Sequence, residues 1–255
     1  MRPAETRSEF WRPGESPAGG AWPTLRTTNA LAAGFEVWYS KRMAESTLYD
    51  RLELSLPGPW IDHSDRAYAW TVRLLLSSAV DQFNDALVAC QFFKPFTADD
   101  LKRDASGEVL AWRDPVRDRL RGLYARAYVY ALDATRNFVD VLAEQTGNPP
   151  SAIATCGAFL QRFKDIRHIR HSLAHLHERS QAKGYPGKRL AGPILDLGSF
   201  MGNRFGVTSG DGRHAEVEIS EQLLACFRSA LLEIIWSFEW IVIGNVRARR
   251  PEGTP

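Results

Sequence analysis

The residues best suited to chemistry lie between Lys164 and Arg179, a run that holds four of the six histidines in the chain. Arg170 is followed at once by His171 and, four positions further on, by His175. Imidazole is the side chain that both takes and gives a proton near neutrality, and the planar guanidinium grips phosphate at two points. Cutting RNA without a metal needs those functions together: a base for the 2′-hydroxyl, an acid for the departing 5′-oxygen and a cation beside the phosphorane oxygens. His175 is the acid–base candidate and Arg170 the phosphate clamp, while His171, one turn before His175, orients it or shares its proton. Lys164, Arg167, His168, Glu178 and Arg179 surround these and are the candidates to hold substrate.

A helix must position them. At about 100° per residue, one helix predicted from Ser151 to about Gln181 puts Ile166, Ile169, Leu173 and Leu176 on a buried side, with Phe159 at its edge. Lys164, Arg167, His171, His175 and Glu178 project from the opposite side, and Arg170 sits on the border, able to curl either way. A merely solvated face, with Glu178 pairing to His171 or His175, has the same pattern. His171 and His175 are also spaced to grip one metal ion, with His168 a turn earlier. His63 and His214 fall in loop or strand-edge contexts and supply no convergent third ligand, so neither a metal nor a cofactor is expected.

The 255 residues, 44% hydrophobic and 24% charged, can bury one large core or two modest ones. A formal charge of +2 is not globally basic, so a nucleic-acid surface must come from local clustering such as that around Arg170. Cys90, Cys156 and Cys226 lie far apart without C-x-x-C spacing and read as buried small hydrophobes in a reducing compartment, which places the chain in the cytoplasm. Met1 to Asn29 is broken by four prolines and has no apolar signal region, so it reads as a flexible tail, as do residues 247–255. Leu223 to Val246 is apolar, but Arg228, Glu233 and Glu239 interrupt it well short of the ~20 apolar residues of a membrane span.

Residues 30–57 are ambiguous. Phe35, Val37 and Tyr39 alternate like a strand, as do Leu52, Leu54 and Leu56, whereas Lys41 to Tyr49 fits a helix. Asp62 or Ser64 can cap a first long helix to about Phe93 that buries Tyr68, Val72, Leu75, Leu76, Ala79, Phe83, Leu87 and Cys90. After a connector at 94–113, Asp114-Pro115 starts a second helix to Thr146, with Val116, Leu120, Leu123, Ala127, Tyr130, Ala134, Phe138 and Leu142 as its buried stripe. Tyr124, Tyr128 and Tyr130 with Arg121 and Arg126 form either an RNA-stacking strip or core.

The turn at 147–150 folds the third helix, which carries the histidines, back against the second. Gly202-Asn203 and Asp211-Gly212 divide residues 194–219 into three strand-like pieces. A fourth helix, Glu221 to Val246, is apolar on most of its circumference and belongs in the middle of a bundle or at a dimer seam. The expected fold is mainly α: an antiparallel four-helix bundle in one domain over 30–246, with a β-meander at 192–219 inserted between the third and fourth helices.

Within that frame, Arg170-His171-x-x-x-His175 resembles the R-x(4–6)-H motif of the HEPN superfamily. The likeness extends to the polar residue after the arginine, the late position in a helix and the setting among long antiparallel helices from about Asp62 to Val246. Many members of that family are metal-independent endoribonucleases that act as dimers, often as toxins or antiviral effectors, and others are non-catalytic. The resemblance implies a homodimer with RNA as substrate, Arg170, His171 and His175 as the catalytic set, and an antitoxin as a further partner. The chain carries more histidine than the motif requires.

Overall fold

The computed structural model describes residues 47–95, 97, 101–112, 114–175, 198–208, 214–242 and 246–247, all within one compact unit, Ser46–Pro255. The tail at 1–29, the segment Phe35 to Tyr39, the turn Asp211-Gly212, Glu178 and Arg179 lie outside these residues. The described chain is mostly helical with small antiparallel sheets. None of its helices is long and apolar enough to cross a membrane.

In order, the elements are α1 (Leu48–Leu52), β1 (Trp60–Ile61), α2 (Arg66–Phe92), β2 (Leu101–Arg103), β3 (Val109–Trp112), α3 (Pro115–Ala143), α4 (Pro150–Arg162) and α5 (Lys164–Ala174). They continue as β4 (Ser199–Met201), β5 (Arg204–Thr208), β6 (His214–Glu218), α6 (Glu221–Ile235), β7 (Trp240–Val242) and β8 (Val246–Arg247). Short polar side chains start the long helices, as the sequence leads one to expect. The Asp114 carboxylate accepts from the Val116 and Arg117 N–H groups at 3.0 and 3.1 Å, with Pro115 in the first turn. Ser220 caps α6 through the Leu223 N–H. On α2 the cap is Asp65, which accepts from Ala67 and Tyr68, rather than Asp62 or Ser64.

Helices α2 and α3 run antiparallel along most of their length: Phe92 stacks on Tyr124, the Thr135 hydroxyl donates to Ala79 O, and the Tyr68 hydroxyl donates to Asn148 Oδ1 at 2.8 Å. The stripe expected on α2 is largely the buried one, with Val72, Leu76, Phe83 and Leu87 inaccessible. Aromatic rings close the centre where α2, α4 and α6 meet. Phe227 lies 4.8 Å from Phe159 and 4.3 Å from Phe163 between ring centroids, and it stacks with Phe83.

Several further expectations need correction. The third helix is not continuous: Phe163, at φ −110° and ψ 26°, separates α4 from α5, and burying its ring against Phe159 and Phe227 redirects the chain there. The fourth helix stops at Ile235, not Val246. Ser237 Oγ donates to Ile234 O and the Trp240 indole donates to Ile235 O, so side chains serve the end of the helix, and β-branched Ile241 and Val242 then pair in a sheet.

The β-structure is likewise not one meander inserted between two helices. It forms three sheets, β1–β7–β8, β2–β3 and β4–β5–β6, of which the first joins residues far apart in sequence and the second occupies the supposed connector. Gly58 permits the first: a Cβ there would lie 2.6 Å from Ile241 O. Leu52 to Leu56 is no strand, because α1 takes Leu52 and the Leu54 backbone bonds to the Asn84 amide instead.

The expected stripe of α3 is buried only towards its C-terminal end, at Leu142 and in part at Phe138. Val116, Leu120, Leu123 and Tyr130 are exposed, at 66, 43, 52 and 39%. The buried side carries Ala125, Tyr128, Val129, Leu132, Thr135 and Val139, together with Arg121, Asp133 and Arg136. Two faces of this helix are apolar, and on the buried one Arg121 and Asp133 are taken up by ion pairs with Asp118 and Arg170, which periodicity alone does not reveal.

Candidate active site

Helix α5 is short and strongly two-faced. Ile166, Ile169 and Leu173 are buried as expected, while Lys164, Arg167 and His168 are exposed and Arg170, His171 and His175 are half-buried. Its last turn closes at Ala174, and His175 follows as the C-cap, its N–H shared between His171 O at 3.2 Å and Ser172 O at 3.3 Å. His175 therefore lies just beyond the helix instead of within it. The shared N–H still holds the two imidazoles together: their centroids are 4.5 Å apart with ring planes at 44°. Ser172, buried beneath them, donates its hydroxyl to His168 O and tightens the same turn.

The arginines of α5 turn towards α3. Arg170 Nε lies 3.5 Å from Asp133 Oδ2, and the Arg170 guanidinium carbon lies 5.5 Å from the centre of the Tyr130 ring. Arg167 Nη1 lies 3.6 Å from Asp140 Oδ2. Asp133 is 3% exposed. Its Oδ2 also accepts from the Asn137 amide, whereas its Oδ1 is buried without a hydrogen bond. One turn along α3, Arg136 is also buried, with Nε and Nη1 unbonded. Asp133, Arg136, Asn137 and Asp140 form a polar stripe at steps of three and four residues, the spacing of one helix face. That spacing is readable in the sequence, but the competing apolar stripe of α3 is more regular and masks it.

The structure brings the His171 and His175 rings together, while the guanidinium of Arg170, in the same turn, is directed to Asp133 and Tyr130 of α3, with Asn137 bonded to the same carboxylate. Lys164, Arg167 and His168 share the helix but do not touch the imidazole pair; Arg167 is engaged by Asp140. The tyrosine strip divides. Tyr128 and Arg121 are buried, with Arg121 bonded to Lys94 O and Asp118, Tyr124 packs on Phe92, and Tyr130 and Arg126 are exposed. A cavity of about 400 Å³ lies on the opposite, apolar side of α5, lined by Ile166, Ile169 and Val217, and Arg170, His171 and His175 do not line it. Among the described residues no group of three His, Cys, Asp or Glu side chains is placed to hold a metal ion.

The cysteines are not alike. Burial pushes the Cys90 and Cys156 thiols up to about 12, with the Glu221 charge adding to the effect at Cys90. Cys226 is exposed, contrary to the expectation that all are buried. Thiolate is the reactive form, so titration with an aromatic disulfide at neutral pH should register Cys226 alone in the native protein. Cys90 and Cys156 should respond only after unfolding; rapid reaction of all three would contradict the packing around α2 and α4.

Comparison of the chain with protein-family models, with curated proteins and with solved structures finds no match.

Proposed function

We propose that the chain is a metal-independent endoribonuclease of the HEPN type, with α2, α3, the kinked pair α4–α5 and α6 as the four helices of its bundle. The observation that carries this reading is the contact of the His171 and His175 rings at 4.5 Å in the turn that also presents Arg170. One imidazole, neutral, takes the proton of the 2′-hydroxyl as O2′ attacks phosphorus. The other, protonated, delivers its proton to O5′ as the P–O5′ bond breaks, so the products carry 2′,3′-cyclic phosphate and 5′-hydroxyl ends. Asp133 meets Arg170 at Nε, which occupies one edge of a group that bears five N–H donors. The remaining donors serve the phosphorane oxygens. Incubating RNA with the protein in EDTA and assigning the product ends tests the scheme, and fragments ending in a 3′-hydroxyl would refute it.

A second reading, a non-catalytic RNA-binding bundle, draws on the same ion pair, since an arginine held by a buried carboxylate is partly committed to structure. Such a protein would bind RNA with steep salt dependence and leave it intact. If the nuclease reading holds in the cell, expression without a neutralising partner should stop growth.

We further propose a homodimer whose seam is the exposed stripe of α3. Val116, Leu120, Leu123, Ala127, Tyr130 and Ala134 alternate steps of four and three residues, and Val141 resumes the series after Asn137. This is the repeat by which identical helices interlock. A second copy carries the same stripe and can close on it about a two-fold axis. Tyr130 belongs both to this stripe and to the seat of Arg170, so dimerisation would bring two copies of the site to one seam. Light scattering at micromolar concentration should show a dimer that Leu120→Glu with Ala127→Glu converts to a folded monomer. A monomeric wild type would refute the seam.

A further inference from the structure

A second recess lies further along α3. A cavity of about 560 Å³ opens between the N-terminal half of α3 and the strands β4 and β5; Asp118, Arg119, Gly122, Leu123, Arg126, Phe200 and Phe205 help to line it, so Leu123 stands on the border between this recess and the proposed seam. Its volume falls in the usual range for small-molecule sites. Arg119 and Arg126 stand two turns apart on one side of α3 with Gly122 between them. A glycine inside a helix costs about 1 kcal/mol relative to alanine. The Arg126 guanidinium lies over this glycine, with Nη1 3.5 Å from where a Cβ of residue 122 would stand, an ordinary contact distance.

Asp118 does not neutralise this pair, since its carboxylate is engaged by Arg121 at 3.0 Å. Among the described residues no carboxylate pairs with Arg119 or Arg126. The opposite wall is aromatic, with the Phe200 and Phe205 rings 5.0 Å apart, Phe205 buried and Phe200 half-buried. Two guanidinium groups facing an aromatic surface match the phosphate and base of one nucleotide in a single strand. Arg126 precedes Tyr130 by one turn, roughly 6 Å along the axis, and the Tyr130 ring carries Arg170. The cavity and the seat of Arg170, the residue next to His171, therefore lie on successive turns of α3.

We propose that this cavity is a nucleotide subsite that holds a phosphate and a base of single-stranded RNA flanking the bond at His171 and His175. The proposal rests on the ribonuclease reading for the identity of that bond.

Binding can be measured apart from cleavage with a fluorescein-labelled, mixed-sequence 2′-O-methyl oligoribonucleotide, which lacks the attacking hydroxyl. Arg119→Ala with Arg126→Ala should weaken binding about 10- to 100-fold and reduce the salt slope by about 0.7, the share of one phosphate on a single strand. Phe200→Leu, which keeps an apolar side chain in the wall, should weaken binding about 5-fold or more without changing the slope. Arg66→Ala, at the exposed start of α2, should change neither. Failure of the wild type to bind, undiminished binding by the double-arginine variant, or an equal loss on Arg66→Ala would overturn the subsite. The two readings fail separately. Lost binding in the arginine variant of a protein that never cuts RNA keeps the subsite and removes the nuclease, whereas cleaving wild type with undiminished binding in the variant does the reverse.

Discussion

His175→Ala should abolish RNA cleavage, lowering the rate by about 10²-fold or more, while the thermal midpoint moves by no more than about 5 °C. The side chain is only half-buried and its backbone bonds to His171 and Ser172 do not depend on the ring. His171→Ala should lose a similar factor. Because the two rings would serve a single proton-transfer cycle, the double variant should be scarcely slower than the worse single one. Wild-type cleavage should persist in EDTA and stop on RNA that carries a 2′-deoxy nucleotide at the cut. Full activity in His175→Ala, or activity that EDTA removes, would place the chemistry on other residues.

The imidazole pair was legible because His171 and His175 are four residues apart and one helical turn brings their rings together. Ile166, Ile169 and Leu173 defined the buried side of α5 correctly, the long helix at 66–92 follows from its apolar spacing, and that at 115–143 from the Asp114-Pro115 start. What the sequence did not disclose is what lies across from each face. The 3–4 stripe from Val116 to Val141 is a genuine periodicity, but within the described chain it meets solvent, and the buried face of α3 is the one that holds Arg121, Asp133 and Arg136. A local pattern identifies a surface that favours burial; it does not identify the partner.

Similarly, Phe163 fits a continuous helix by propensity, and only its packing against Phe159 and Phe227 shows why the helix breaks there. The strands at β1 and β7 were illegible for the opposite reason. Their pairing spans most of the chain, and Trp60–Ile61 is too short to show any alternation.

Arg170 should prove to have two separable roles, one in the fold and one at the phosphate. Arg170→Ala leaves Asp133 buried without its countercharge, and breaking such a pair costs about 3–5 kcal/mol. The arginine side chain is 41% exposed, so the lower end of that range applies, roughly 10 °C in the thermal midpoint for a chain of this size. Adding Asp133→Asn removes the orphaned charge while keeping the shape and a partner for Asn137, and it should restore most of the lost stability. Cleavage should not return, because the cation at the phosphorane oxygens is still missing. Arg170→Lys separates the roles from the other side: it keeps a charge near Asp133 and so most of the stability, but loses the planar two-point grip and with it most of the activity. Recovery of cleavage in the Arg170→Ala, Asp133→Asn protein would show that the arginine only neutralises a buried carboxylate, and the phosphate clamp would then have to be sought elsewhere on the surface of α5.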